Sequence, residues 1–181
     1  MPTATAGIGD TPELIAAIQA PQRLLAMELL DPCALRSDPT LAELTKMARS
    51  VVRSGFACVT LVEAERVIIL ATDGWEEPPE EKSLTDALCA HTAALARPIT
   101  VPDARRDPVF RRLSAVQAFG VVAYLGVPIL DTPTLALGTV CAFERVVRHW
   151  RDDEVGRLSE IATRVREHLR RSPDDSSQAS S

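Results

Sequence analysis

The chain is poor in aromatic residues, which make up only 4% of its 181 positions. A core of this size must therefore be built from Leu, Val, Ile and Ala. It has no apolar run near the ~20 residues that a membrane-spanning helix needs. No basic segment with a long apolar stretch opens it, so it carries no secretory signal pattern. It has no C-x-x-C pair; its four cysteines, Cys33, Cys58, Cys89 and Cys141, are widely spaced and read as buried thiols rather than disulfides. It has no excess of positive charge: the formal net charge is −5, which argues against a nucleic-acid partner and against a polybasic membrane patch. No internal repeat is apparent. These absences point to a cytoplasmic globular protein, and at 46% hydrophobic residues it has enough apolar surface for one ordinary domain.

Punctuation and periodicity divide the chain into four parts. Residues 1–10 are small and polar and read as disordered. Residues 11–38 hold N-terminal helices and a connection, the first helix opening at Thr11-Pro12. Residues 39–171 form the main domain. The tail, 172–181, is rich in Ser and Asp and again reads as disordered.

Within the main domain, Thr40 and Glu43 fit a capping box, and Leu41, Leu44, Met47, Ala48 and Val51 follow at helical spacing. The next stretch, 56–72, changes to β-rich composition around a polar link at Glu63–Arg66 and ends at Asp73-Gly74, a hairpin pattern. A polar loop, WEEPPEEK, comes next. Residues 83–96 read as one helix, with Ser83 and Asp86 in capping-box positions. PITVPDA is short and extended, a loop and short helix follow, and two β runs flank the turn DTPT. The last helix places acids in its first turn and bases in its last, as the helix dipole favours. Adjacent strands with short links imply an antiparallel sheet of five or six strands, flanked by helices in an α+β fold.

Cys89 and His91 draw attention as a Cys-x-His pair. Two residues apart on a helix, their side chains point roughly 200° from each other. They cannot share a metal or act as a nucleophile and base, and no metal-ligating set is read from the chain. Leu84, Leu88, His91 and Leu95 share one stripe, expected to meet the sheet. Cys89 shares the other with Thr85 and Thr92. His91 is then either a core histidine held by a polar partner or part of a pocket wall. Asp103 and Asp107 read as residues that hold loop turns by accepting backbone N–H groups. Tyr124 shares a strand face with Val122 and Gly126 and reads either as a ligand contact or as core, and Cys141, with Val140 and Ala142 pointing the other way, reads as core. Trp75 and Trp150 read as packing anchors.

Five motifs in order carry a resemblance. They are Cys89-x-His91; Val101-x-Asp103-Ala104 with Asp107-Pro108-x-Phe110; Tyr124-x-Gly126-x-Pro128-Ile129; Gly138-Thr139-Val140-Cys141; and Trp150 before the last helix. Together they resemble the GAF domain family, most closely its bacterial sensor branch, over residues 39–168. The resemblance implies a sheet with helices on one side and a lid, residues 103–123, over a small-molecule pocket on the other. It implies a sensory or dimerising module in bacterial signal transduction rather than an enzyme. His91, Asp103, Phe110, Tyr124, Cys141 and Trp75 are the residues it would bring to a ligand; no cofactor is named. A spacing of Val155, Leu158, Ala162, Val165 and Leu169 fits a coiled-coil seam, which makes a homodimer through the terminal helices the expected assembly. With no output domain after residue 171, a complete chain would act on a separate signalling partner.

Three features depart from the family pattern. The turn DTPT lacks Asp-Gly, Arg151 replaces the usual Ser or Thr, and no kinase, cyclase or DNA-binding output is expected after the domain. Among specialised branches, the bilin-binding pattern is missing, since the lid has no cysteine and histidine. One enzymatic branch, the free methionine sulfoxide reductases, uses several cysteines on the lid side. Residues 97–140 contain none, so the chain reads as a weak match to that branch. A ligand-free interaction module is the other alternative.

Overall fold

A computed structural model of the protein describes residue 8 and residues 11–171. The disorder expected for residues 1–10 and 172–181 lies, Ile8 apart, outside the described residues. The N-terminal segment holds α1 (Thr11–Ile18), α2 (Pro21–Met27) and α3 (Pro32–Leu35). The main domain runs α4 (Pro39–Val52), β1 (Phe56–Val62), β2 (Arg66–Asp73), β3 (Glu81–Ser83), α5 (Leu88–Leu95), β4 (Ile99–Val101), α6 (Ser114–Gln117), β5 (Ala123–Thr132), β6 (Leu135–Glu144) and α7 (Asp152–Leu169). The strands make one six-stranded sheet in the order β3-β2-β1-β6-β5-β4, and each pairing is antiparallel. The α+β class and the hairpins were legible in the sequence. β3 was not, because its three residues, Glu81, Lys82 and Ser83, are all polar.

The sheet is covered on both faces. Strand alternation sends Val59, Leu61, Leu125, Val127, Val140 and Ala142 to one face, where α4 and α7 pack. Leu158, Ala162, Val165 and Leu169 of α7 are buried there, so the apolar stripe of this helix faces the chain's own sheet. Cys58, Tyr124, Cys141 and Phe143 go to the other face, beneath α5, α1 and the 103–123 segment.

Two helix starts differ from expectation. Asp38, not Thr40, caps α4: its Oδ1 accepts from Thr40 N–H at 2.7 Å and Leu41 N–H at 3.2 Å, with Pro39 opening the helix. Pro39 fixes the first helical position, so Asp38 takes the cap and Thr40 already lies inside the helix. Residues 84–86 form a separate 3-10 turn and α5 starts only at Leu88, so Ser83 and Asp86 make no capping box. Asp86 instead faces the lid.

The N-terminal segment is fastened to the domain by a buried cation. Arg23 is 3% exposed. Its Nε donates to Ala136 O at 2.9 Å, its Nη1 to Ile18 O at 3.1 Å, and its Nη2 to Leu137 O at 3.1 Å and to Val62 O. Four backbone carbonyls take the place of a counter-ion, and burial brings its pKa down to about 10. No helix among the described residues is long and apolar enough to cross a membrane.

Candidate functional site

The face under the lid is unusual for the polarity it buries. Thr60 and Thr139 bond hydroxyl to hydroxyl at 2.8 Å across β1 and β6. Thr139 Oγ1 lies 3.0 Å from Cys141 Sγ, and the Tyr124 hydroxyl lies 3.3 Å from the same sulfur and 2.7 Å from Thr92 Oγ1. Cys141 pairs in register with Cys58 on β1, and Cys89 descends from the first turn of α5 to place its sulfur 3.3 Å from that of Cys141. The three sulfurs lie within 4.8 Å of one another, all buried. On the opposite face the strands present apolar side chains to α4 and α7, and the buried hydroxyl of Thr45 on α4 bonds back to Leu41 O of its own helix.

This polarity depends on two residues of the Tyr124-x-Gly126 strand. Tyr124 leans along β5 over Gly126. A Cβ at Gly126 would sit 2.0 Å from the Tyr124 hydroxyl and 2.6 Å from Thr92 Oγ1. Glycine is thus required for space, not for backbone conformation.

Above the cluster lies a chamber walled by Cys58, Thr60, Trp75, Lys82, Cys89 and Phe143, among others, with a free volume of about 30 Å³. That is room for about one water molecule. The lid is latched over it. Asp86 Oδ1 accepts the N–H of Ser114 at 2.7 Å, and Lys82, 3.6 Å from the Asp86 carboxylate, also reaches the Ser114 hydroxyl and sits 4.9 Å above the Phe119 ring. Trp75 closes the wall against Phe56, Phe119 and Phe143.

Burial shapes the proton chemistry of the cluster. Hydrogen bonds from Cys141 and Cys58 hold the Cys89 thiol well below the usual thiol range, against the burial that opposes its charge. Cys58 and Cys141 are pushed well up, Cys58 chiefly through its contacts with the other two sulfurs and Cys141 chiefly by burial. Burial, then the neighbouring sulfurs, raise the Tyr124 hydroxyl as well.

The residues named from the sequence fall into three groups. Trp75 lines the chamber, whereas Cys141 and Tyr124 lie beneath it in the buried polar cluster. Phe110 is fully buried in the lid, edge-on to His91 with ring centroids 5.1 Å apart and 6.5 Å from the Tyr124 ring. His91 points away from the sulfurs. Its Nδ1 accepts the Ile8 N–H at 3.1 Å, beside a second cavity of about 170 Å³ walled by Thr11, Leu14, Pro108 and Leu113. Burial takes its pKa down to about 4, against the pull of Asp107 and Cys89. Asp103 lies on the loop outside the chamber. It accepts the Arg105 N–H at 3.2 Å and pairs with the Arg105 guanidinium at 2.8 Å.

The stripe of α5 expected to meet the sheet is thus reversed. Cys89 and Thr92 face the sheet and His91 faces α1 and the N-terminal segment. Helix α5 is covered on both sides, and all of Leu88–Ala93 is buried, so apolar periodicity carries no direction there. Cys58, Cys89, Thr60, Thr92, Thr139, Lys82 and Asp86 were not assembled from the sequence. Cys58 and Cys141 each sit in a readable strand, but the register that makes them partners is set by pairing across more than 80 residues.

A lidded antiparallel sheet with paired helices behind it, and a cluster of buried hydroxyls and thiols beneath a small chamber in front, defines an α+β sandwich domain. The family model described as GAF domain matches residues 37–169, and the chain belongs to that family. No curated protein sequence matches it. Among solved structures, a domain of a putative two-component sensor histidine kinase from Sinorhizobium meliloti 1021 is 18% identical, with a TM-score of 0.60 over 78% of this chain and 96% of that chain. Type II free methionine-R-sulfoxide reductase from Thermoplasma acidophilum is 14% identical, with a TM-score of 0.63 over 76% and 94%. The GAF domain of a phosphoenolpyruvate-protein phosphotransferase from Coxiella burnetii is 14% identical, with a TM-score of 0.60 over 81% and 92%. At these identities the likeness is one of fold.

Proposed function

We propose that the protein is a non-catalytic sensory or regulatory module that takes a small ligand into the chamber between the sheet and the 103–123 lid. The observation that carries this is the contrast between the two sheet faces. Burying hydroxyls and thiols stabilises a core less than apolar side chains do, and each such group demands a partner. On one face the strands offer apolar side chains; the other gathers Thr60, Thr92, Tyr124, Thr139 and three thiols under a lid held by polar contacts. The chamber is closed in this conformation, so binding and lid opening are coupled. Free buried thiols suit a reducing, cytoplasmic setting. A homodimer and a separate signalling partner complete the reading, with bacterial signal transduction as its context. Since the α7 stripe is spent on the sheet, the dimer would use the outer faces of α4 and α7, where Met47 is exposed.

Thermal-shift and calorimetric titration against metabolites, nucleotides, anions and thiol-reactive ions test this. A ligand that raises the melting temperature, and no longer does so in Tyr124→Phe or Thr139→Val, supports it. If no class of ligand stabilises the protein, the reading falls.

A second reading has one observation in its favour. The Cys89 and Cys141 sulfurs are close enough to form a disulfide after reducing a sulfoxide, two thiols giving up two electrons and two protons as the sulfoxide oxygen leaves as water. Free methionine sulfoxide is the substrate to assay. Full turnover with Cys89 or Cys141 replaced would end that reading.

A further inference from the structure

We propose that Cys58, Cys89 and Cys141 form a three-thiol site for a trivalent metalloid of the arsenite class. The inference rests on the sensory reading of the chamber and names what enters it.

The donor set comes first. Three sulfurs converge from three elements, two of them in-register partners on adjacent central strands and the third on the helix above. Elements packed this way hold donors in place better than loops do. Three sulfurs bonded at about 2.3 Å to one ion whose lone pair makes it pyramidal lie about 3.4 Å apart, using the zinc–sulfur length as a guide. The observed sulfurs, 3.3 Å apart for Cys89 and Cys141 and all within 4.8 Å, need little adjustment to meet that. All-sulfur donors select soft, thiophilic ions over hard ones.

Charge then discriminates among the soft ions. Ligating thiols are bound as thiolates. Three thiolates leave a net charge of −2 on a monovalent ion, −1 on a divalent ion and zero on a trivalent one. The site is fully buried, and uncompensated charge there is costly. The cation on the chamber wall, Lys82, is engaged by Asp86, Ser114 and the Phe119 ring. The other polar neighbours, Thr60, Thr139 and Tyr124, are neutral hydroxyls. A neutral complex is the one this environment accepts.

The binding step balances without any redox partner. Arsenous acid brings three hydroxyl groups. Three arsenic–oxygen bonds break and three arsenic–sulfur bonds form. Each thiol proton leaves with a hydroxyl as water; where Cys89 is already a thiolate, its hydroxyl leaves as hydroxide and takes a proton from solvent. Three-coordinate trivalent arsenic keeps a lone pair and needs no fourth ligand. Structural zinc would call for one, and no fourth sulfur, imidazole or carboxylate joins the cluster among the described residues.

The test uses the full chain, kept reduced with a phosphine, and arsenite as the probe. Native mass spectrometry should show one arsenic per chain, with the mass gain of one arsenic atom less three protons. X-ray absorption on the unmodified protein should show three sulfur neighbours and no oxygen. Cys58→Ser, Cys89→Ser and Cys141→Ser should each weaken binding by at least about tenfold, since even outer-shell losses at metal sites cost 10–100-fold. Cys33→Ser should leave binding unchanged, because Cys33 is exposed on α3, away from the cluster. No binding, a site with retained oxygen, or uptake of zinc or copper(I) in preference to arsenite overturns the proposal. Because the absorption measurement needs no variant, a serine protein that fails to fold does not blunt it. If arsenite fails while another ligand stabilises the chamber, this inference falls and the sensory reading stands; if every ligand fails, both fall.

Discussion

Asp86 and Ser114 are joined across the mouth of the chamber, the carboxylate of the first accepting the backbone N–H of the second at 2.7 Å. This contact ties the 3-10 turn before α5 to the start of the lid helix, and Lys82 braces both partners. Burial raises the Asp86 carboxyl, but the hydrogen bonds from Ser114 and the charge of Lys82 more than offset it and hold it below the usual range. Asp86→Ala should release the lid at a cost of about 1–2 kcal/mol. Amide exchange at Ser114 and alkylation of Cys89 should both speed up several-fold. Equal rates in the two proteins would show that the lid is held by its apolar contacts alone.

His91 makes a pH signature. Its folded-state pKa, about 4, lies below its ordinary 6.5. The folded protein therefore holds the neutral ring, and the stability this represents is present above pH 6.5. It is lost as pH falls from 6.5 towards 4, where the unfolded chain takes up the proton first. The full effect is on the order of 3 kcal/mol, at 1.36 kcal/mol per pKa unit. Carboxylates titrate in the same window, so the measurement is a difference. Urea midpoints at pH 7 and pH 4.5 should converge for wild type and His91→Gln as the pH drops. Parallel midpoints would contradict the burial of the neutral ring.

Gly126 should tolerate no methyl group. Gly126→Ala forces Tyr124 off Thr92, combining overpacking with orphaned hydroxyls, and should cost about 2–4 kcal/mol. Tyr124→Phe removes only the hydroxyl and should cost about 1 kcal/mol. Chemical denaturation ranks the two; a smaller loss for Gly126→Ala would mean that the ring has room to move.

Thiol reactivity should split one to three. Cys33 is exposed, whereas Cys58, Cys89 and Cys141 are buried. A chromogenic disulfide reagent should consume one thiol quickly and three only as the lid opens or the chain unfolds. Two fast thiols would place Cys89 in contact with solvent.

The sequence revealed the fold well where local patterns decide it. Val and Ile runs with polar links made β1–β2 and β5–β6 readable, and the charge-graded α7 stood out. Where one residue's role depends on a distant partner, the sequence was silent. β3 is polar and exists because it adds to the edge of β2. Asp86 was assigned to a helix cap, since nothing nearby shows that Ser114, 28 residues on, would claim it. For α5, spacing separated Cys89 from His91 correctly, but which side met the sheet was decided by α1, whose packing partner no local pattern records. The three-thiol cluster is a product of register. Cys58 and Cys141 are 83 positions apart and become neighbours only because β1 lies beside β6.

The family match begins at residue 37, yet the guanidinium of Arg23 is seated among carbonyls at the far ends of both hairpins. The contacts of the domain therefore extend beyond the residues that the family model matches. A chain cut at the family border would leave the carbonyls of Val62, Ala136 and Leu137 without this donor. The same seat ties α2 to the ends of β1 and β6 through one buried guanidinium.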